Sequence, residues 1–322
     1  MKAKWLIESL VFEENETELL ASLAKYDIIY KSLDEEEEQK LKEGLLYASF
    51  PSNEFRNMKK NYLDFFDDDD CVVIRGSIQF CDMIRKEAKW IPGVYCNWDA
   101  FRCINYYPKF KSELLNGDEY MILPYGDLLR QKEFIFKTFG QSNTVFIRPD
   151  AGNKIFTGQA VQKEHFERDL ETLGFYDVPD NELCIITYPV NVVAEYRFVV
   201  VGDKVIAGSE YRPTRKEIAN GGDAVWAYAQ EVVDSLDYSP DRVWSLDVCR
   251  TKSGRTKVLE IGSFSCAGMY MCNNDAIVEH VSRAAVDEWE EYRVPDMVND
   301  VVFEDCNTGR IASDRYREDK SY

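Results

Sequence analysis

Two acidic residues, Asp247 and Glu260, lie in segments that a short hairpin would bring face to face. Ser253-Gly254 stands midway between them, and a dipeptide of this type favours a tight turn. Two carboxylates opposed across a strand pair repel each other. A cation between them reverses that sign, and oxygen ligands suit magnesium. We therefore expect a magnesium site here, the alternative being a wet sheet face with two solvated acids. Closing the turn symmetrically pairs Asp247 with Glu260, Leu246 with Ile261, Val248 with Leu259, and Arg250 with Lys257.

A second group of chemically capable residues surrounds a glycine-containing turn. Arg148 and Lys154 stand on either side of Asp150-Ala151-Gly152. Such a loop can bring backbone N–H groups and a cation against a polyphosphate. The segment lacks the Walker A spacing, so it is not a P-loop. The alternative is a surface hairpin with solvated basic residues.

A third group combines Glu195 and Arg197 on one strand with Arg212 on the next. The Gly202-Asp203 turn and the alternating pattern predict a hairpin that brings Arg212 close to the other two. Charged residues among apolar strand positions indicate either a polar cleft or a wet sheet face. A purely structural Arg–Glu pair is the alternative.

The segment before this hairpin, residues 184–190, is apolar with a polar edge. Thr187, Tyr188 and Val190 could hold an adenine ring by van der Waals contact and backbone hydrogen bonds. A simple buried strand explains the same residues equally well.

The order of strands and helices that must position these groups differs between the first hundred residues and the rest of the chain. The first hundred residues alternate strand and helix patterns, which predicts a small parallel sheet covered by helices. The predicted strands there are Trp5–Phe12, Asp27–Tyr30, Cys71–Arg75 and Gly93–Cys96, and the predicted helices are Glu14–Lys25, Glu35–Leu45 and Ile78–Ala88. From about residue 106 an α+β organisation follows. It has a strand Tyr120–Leu123, hairpin-like blocks Val145–Val161, Cys184–Tyr211 and Val243–Ile261, and helices Leu128–Phe139, Lys163–Leu173, Ala224–Leu236 and Asn274–Tyr292.

Composition narrows the classes of partner. The net charge of −19 and pI near 4.7 argue against nucleic acid and against an anionic membrane surface. No apolar run is long enough to span a bilayer. Nine dispersed cysteines, none in a Cys-x-x-Cys pair, fit free thiols in a reducing cytoplasm. We therefore expect a cytoplasmic protein.

The order of these groups resembles the ATP-grasp family over residues 106–290. In that family two α+β subdomains sandwich ATP, and a small α/β domain usually precedes them, here residues 1–105, with 291–322 a polar tail. The resemblance implies ATP and magnesium as cofactors. It assigns the phosphate contacts to Arg148 and Lys154, and Arg followed by Lys indicates a less common clade. The remaining assignments are the adenine hinge and nucleotide contacts to Thr187, Tyr188, Val190 and Glu195, catalysis to Arg197 and Arg212, and the metal to Asp247 and Glu260.

The resemblance further implies a magnesium-dependent ligase that joins a carboxylate to an amine through an acyl phosphate. The substrates would be small molecules or peptides, shaped in part by the loop of residues 262–272. Gly262 stands where the family tends to carry Asn, which leaves a second metal in question. Two alternatives stay open: a phosphotransferase without ligation, and an inactive nucleotide-binding or interaction module.

Overall fold

The computed structural model describes residues 2–8, 16–33, 62–152, 155–174, 178–221 and 223–293. The predicted helix Glu35–Leu45, residues 294–322 of the predicted tail, and the predicted strand beyond Glu8 lie outside these ranges. Within them the strands form three sheets, one near the N-terminus and two in the rest of the chain.

The N-terminal sheet is parallel, as the alternating pattern predicts. Its order is β2-β1-β3-β4, from β1 (Lys4–Glu8), β2 (Tyr30–Leu33), β3 (Cys71–Arg75) and β4 (Ile91–Gly93). Helices α1 (Glu16–Lys25) and α2 (Ile78–Glu87) connect its strands. Ser77 caps α2, because its side chain accepts a hydrogen bond from the Phe80 N–H at 3.2 Å. Two predicted strands are displaced. Strand β2 starts at Tyr30 instead of Asp27, and β4 starts at Ile91 instead of Gly93.

The middle sheet is antiparallel and follows helix α3 (Cys103–Phe110). Its order is β5-β8-β6-β7, from β5 (Met121–Pro124), β6 (Thr144–Pro149), β7 (Gln159–Gln162) and β8 (Leu183–Thr187). Helices α4 (Lys132–Phe139) and α5 (Phe166–Gly174) pack on it through Phe136 and Phe166. The predicted hairpin across residues 145–161 is confirmed, but β8 pairs with β5 and β6 instead of with the strand that follows it.

The large sheet is also antiparallel and has the order β11-β10-β9-β12-β13. Its strands are β9 (Val192–Val201), β10 (Lys204–Arg212), β11 (Lys216–Glu217), β12 (Val243–Thr251) and β13 (Thr256–Ser263), with helices α6 (Ala224–Ser235) and α7 (Asn274–Arg293). Gly202 (φ 58°) and Gly254 (φ 84°) stand in the two hairpin turns, where the left-handed conformation favours glycine.

The two faces of the large sheet bury different helices. Phe198 and Trp244 pack with Trp226 of α6 on one face, whereas Val199 packs with Ile277 of α7 on the other. Helix α7 also contacts the N-terminal sheet, where the Trp5 indole donates a 2.9 Å hydrogen bond to the Ser282 hydroxyl. Because α7 lies between the two sheets, it fixes the N-terminal sheet against the large one.

The predicted pairing of Asp247 with Glu260 is confirmed, as is that of Leu246 with Ile261. The pairing nearer the turn is wrong, because a register shift after Asp247 places Val248 opposite Val258 and Arg250 opposite Thr256. The shift leaves Leu259 as the extra residue of a bulge. Val258 and Ile261 are therefore both buried in the core while Glu260 stays on the opposite face.

Two expectations concern the chain as a whole. The eight described cysteines are free thiols, and all but Cys266 are buried. Among the helices in the described ranges, none combines the length and hydropathy that a membrane span requires.

Candidate functional site

Three of the predicted site residues on the large sheet form one row across adjacent strands. Arg197 on β9 lies opposite Asp247 on β12, and Asp247 lies opposite Glu260 on β13. Directly opposed residues on neighbouring strands project from the same face of a sheet. The row therefore carries one positive charge, on Arg197, followed by two negative charges, on Asp247 and Glu260. Arg148, which reaches in from the middle sheet, adds the second positive charge.

Asp247 and Arg197 form a buried bidentate ion pair. Nε and Nη2 of Arg197 donate to the two Asp247 carboxylate oxygens at 2.8 and 2.7 Å, and both residues are at most 8% exposed. Burial lowers the pKa of Arg197, but the charge and hydrogen bonds of Asp247, together with Tyr270 and Tyr211, raise it by more, and the net shift is upward. The Tyr211 hydroxyl donates to the same carboxylate at 3.3 Å. Asp247 is therefore fixed in place by its neighbours.

Glu260 pairs with Arg148 and so joins two sheets. Nη2 of Arg148, on β6 of the middle sheet, donates to a Glu260 carboxylate oxygen at 2.9 Å. Their side chains are 19% and 26% exposed, which is more open than the pair beside them. Burial lowers the pKa of Arg148. Acidic groups around it, among them Cys103 and Glu260, together raise this pKa by more, so the net shift is upward. This pair closes the junction between the middle and large sheets.

Arg212 and Glu195 lie opposite each other at the end of the β9–β10 hairpin, as predicted. Nη1 of Arg212 donates to Glu195 at 2.8 Å, and the Arg212 side chain is 64% exposed. An exposed ion pair of this kind holds its partners weakly. Arg212 can therefore reorient towards an anion without a large loss of stability.

The predicted hinge begins where β8 ends. Thr187 is the last residue of β8 and is buried, and Tyr188 and Val190 are half-buried in the connection to β9. The Tyr188 carbonyl accepts a 3.0 Å hydrogen bond from the Asn116 side chain. The neighbouring Leu115 N–H donates to the Val258 carbonyl of β13 at 2.8 Å. The hinge is thus held next to the large sheet.

Lys154, the second predicted phosphate contact, lies outside the described residues.

Sequence reasoning missed two aromatic residues beside the ion pairs. The rings of Tyr211 and Tyr270 stack with centroids 4.6 Å apart, and the Arg197 guanidinium lies 5.2 Å from the Tyr270 centroid. Tyr270 has a positive φ of 50°, which is uncommon for a bulky residue. Its loop also supplies the Gly268 carbonyl, which accepts from Arg197 Nη1 at 2.9 Å. The resemblance implied that this loop shapes the substrate site, but its contacts with Arg197 were not predicted.

Magnesium requires several oxygen ligands in a regular arrangement. In the described ranges no group of three or more His, Cys, Asp or Glu side chains is arranged to hold a metal. Asp247 and Glu260 are the two facing carboxylates, and each carries an arginine partner, so the four charges cancel. Gly262 lies opposite Ser245 and contributes no ligand side chain. The residues fit one magnesium ion held with phosphate oxygens, provided that Arg148 releases Glu260.

Comparisons with known proteins bear on the family and the fold. Residues 130–280 match the family model described as an ATP-grasp domain, R2K clade family 2. This match confirms the resemblance over these residues, and the shared fold of solved structures confirms the α+β prediction. No curated protein sequence matches the chain.

Three solved structures share the fold at low sequence identity. The D-alanine-D-alanine ligase from Coxiella burnetii has a TM-score of 0.54 at 12% identity, over 94% of this chain and 100% of that one. The D-cycloserine synthetase DcsG has a TM-score of 0.53 at 12% identity, covering 88% and 99%. The N5-carboxyaminoimidazole synthetase from Staphylococcus aureus, solved with ADP, has a TM-score of 0.52 at 10% identity, covering 88% and 77%. At these identities the likeness shows the fold.

Proposed function

We propose that this protein is a magnesium-dependent, ADP-forming ligase that joins a carboxylate to an amine through an acyl phosphate. The observation that carries the proposal is the row of Arg148, Glu260, Asp247 and Arg197 at the junction of two sheets of an ATP-grasp fold. The three solved enzymes of this fold are a ligase and two synthetases by name. In this proposal residues 1–105 form a separate N-terminal domain and residues 106–290 the ATP-grasp domain.

In the proposed nucleotide site the two sheets contribute different contacts. Thr187, Tyr188 and Val190 would hold adenine, and Glu195 would contact the nucleotide nearby. Arg148 would bind phosphate, together with Lys154 from the glycine loop. A phosphate oxygen competes well for Arg148, because a guanidinium fits phosphate and carboxylate equally in bidentate geometry.

The ion pairs suggest which acidic residue a metal recruits. Asp247 keeps Arg197 as its partner, since both side chains are buried. Glu260 becomes available when Arg148 turns to phosphate. Magnesium held by these two carboxylates would supply charge neutralisation at the phosphate oxygens. Protein side chains need only position the reactants, because no protein nucleophile is required.

The proposed reaction has two steps. A substrate carboxylate oxygen attacks the γ-phosphorus of ATP, the bond between the β- and γ-phosphates breaks, and ADP leaves. The amine nitrogen then attacks the acyl carbon, a C–N bond forms, and inorganic phosphate leaves with loss of a proton from nitrogen. Arg212, which is exposed and loosely paired, is suited to the transferring phosphoryl group. Arg197 is already committed to Asp247 and the Gly268 carbonyl, so its role is to orient Asp247.

Calorimetric titration with ADP tests the nucleotide site directly. Wild-type protein should bind ADP more tightly with magnesium than without it. Glu260→Gln should lose that increment and keep magnesium-free binding, because Arg148 is then released from its ion pair. Glu279→Gln is the matched control, since it also breaks an exposed Arg–Glu pair, on α7 and away from the site. A magnesium increment that survives in Glu260→Gln would refute the assignment of this residue.

A second assay tests ligation. ADP and phosphate should both appear only when a carboxylate and an amine are supplied together. ADP without phosphate would indicate phosphotransfer to a stable acceptor. Nucleotide binding that raises the melting temperature without any ATP consumption would indicate an inactive module.

A further inference from the structure

A buried arginine of the N-terminal sheet contacts the loop that follows Glu260. Arg75 ends β3 and is 1% exposed. Its Nη1 donates to the Phe264 carbonyl and its Nη2 to the Ala267 carbonyl, both at 2.8 Å. The guanidinium carbon also lies 4.9 Å from the centroid of the Phe264 ring. Hydrogen bonds from a charged donor are roughly twice as strong as neutral ones, so Arg75 is a strong local restraint.

The backbone around Arg75 reinforces this contact. The Gly76 N–H donates to the Ser265 carbonyl at 3.0 Å, and the Tyr95 N–H donates to the Ser265 hydroxyl at 3.0 Å. The Ser263 hydroxyl donates to the Tyr95 carbonyl at 2.7 Å. The start of the loop is therefore bound to the carboxyl edge of the N-terminal sheet, where β3 ends.

The other end of the same loop is bound to the large sheet. Gly268 accepts from Arg197, as described above, and the Met271 N–H donates to the Ser209 hydroxyl at 3.1 Å. Ser209 lies opposite Arg197 on β10. Between these two anchors the loop carries Tyr270, whose ring covers the Arg197 guanidinium. The loop thus connects Arg75 to the Asp247–Arg197 pair.

Burying a guanidinium is costly unless hydrogen bonds compensate it, and the two carbonyl contacts of Arg75 supply such bonds. Burial lowers the pKa of Arg75 to about 10, and nearby thiols offset part of that effect. The residue therefore remains charged at neutral pH. Its two forked donors reach carbonyls three residues apart, which fixes the loop's curvature.

We infer that Arg75 is a positioning residue: it sets the conformation of residues 264–271 and, through Gly268 and Arg197, the orientation of Asp247. The second part rests on the proposed function, in which Asp247 is a magnesium ligand. The N-terminal sheet thereby acts on the metal side of the site while leaving the adenine hinge untouched.

Hydrogen exchange of the loop amides tests the first part without reference to nucleotide. Arg75→Met keeps the apolar volume and removes both donors, whereas Arg75→Lys keeps the charge without the fork. Exchange at residues 264–271 should accelerate at least about 10-fold in Arg75→Met and by less in Arg75→Lys. Arg85→Met, on the exposed side of α2, is the matched control and should change nothing there. Unchanged loop exchange in both variants, or equal acceleration throughout the N-terminal sheet, would overturn the inference.

ADP titration tests the second part on the same variants. The ratio of the Kd without magnesium to the Kd with magnesium should fall at least about 5-fold in Arg75→Met, with partial recovery in Arg75→Lys. The Kd for ADP alone should stay within about 2-fold of wild type, since the hinge is unaffected. A ratio that stays at the wild-type value would overturn the link to Asp247. If wild-type protein binds no ADP, the proposed function fails, and the exchange experiment still decides the role of Arg75 in the loop. If Arg75→Met does not fold, Arg75→Lys decides both measurements.

Discussion

The two acidic residues of the site should differ sharply in what they contribute to stability. In Asp247→Asn the Arg197 guanidinium keeps its charge in a site where it is 8% exposed, and it loses its ionic partner. Breaking a buried ion pair in this way costs about 3–5 kcal/mol. In Glu260→Gln the partner Arg148 is in a more open position, and the repulsion between facing carboxylates is relieved. We expect a loss of about 1 kcal/mol or less there.

Urea denaturation followed by tryptophan fluorescence can resolve this difference. With a slope of about 3 kcal/mol per molar urea, the Asp247→Asn midpoint should fall by about 1 M or more, and the Glu260→Gln midpoint by about 0.3 M or less. Trp244 is a suitable reporter, because it is buried on the same strand as Asp247. Equal shifts in the two variants would refute the distinction between a buried inner pair, Asp247 with Arg197, and a more open outer pair, Glu260 with Arg148.

A double variant distinguishes the loss of the ion pair from the cost of leaving one buried charge without its partner. Replacing both partners, as in Arg197→Met with Asp247→Leu, removes the buried charge as well as its partner. Such replacements are often neutral, so the double variant should recover most of the stability that Asp247→Asn loses. If the double variant were as unstable as the single one, packing around Arg197 and not its charge would explain the loss.

Three further predictions follow from single residues. Burial raises the pKa of Asp241 to about 7, whereas an unfolded aspartate ionises at about pH 4, so stability is lost progressively between these two pH values and the loss is complete above about pH 7; Asp241→Asn should therefore raise the melting temperature most at pH 8, less at pH 5 and little at pH 3. Neighbouring Cys81 and Cys96 thiols lower the pKa of Cys266, and Cys266 alone among the described cysteines is not buried; iodoacetamide at pH 6 should therefore label Cys266 faster than the other described cysteines, and equal labelling by mass spectrometry would contradict this. Arg212→Met should leave the melting temperature within about 2 °C of wild type, because its ion pair is exposed; under the proposed function it should slow ATP turnover at least about 10-fold.

Local patterns in the sequence predict much of this fold. The strand Cys71–Arg75 has the predicted bounds, and the helices at residues 224–235 and 274–293 match to within a residue. These segments have a strong period or clear turn residues at their ends. The opposition of Asp247 and Glu260 was predicted although the pairing nearer the turn was not, because the bulge at Leu259 offsets the one-residue difference in register at the turn.

Contacts between segments distant in sequence were harder to predict from local patterns. Nothing in the local pattern indicates that β9 lies beside β12, so the Arg197–Asp247 pair could not be predicted. The bulge at Leu259 was missed because an apolar residue is compatible with either register. Its position is decided by the core, which takes both Val258 and Ile261. Non-local packing overrides the simple alternation at this point.

The facing carboxylates Asp247 and Glu260, which suggested a metal, are each neutralised by an arginine in this structure. Their mutual repulsion is therefore compensated without a metal. The inner pair is fixed, because exposing or separating buried charges is expensive. The outer pair of Arg148 and Glu260 is a fifth to a quarter exposed, and screening makes its separation far cheaper. If phosphate takes Arg148, the carboxylate it leaves behind recreates the repulsion with Asp247, and a divalent cation then becomes the favourable neighbour. Phosphate and magnesium binding are therefore expected to be cooperative. Phosphate alone should compete with Glu260 for Arg148, and magnesium alone should find the site already neutral.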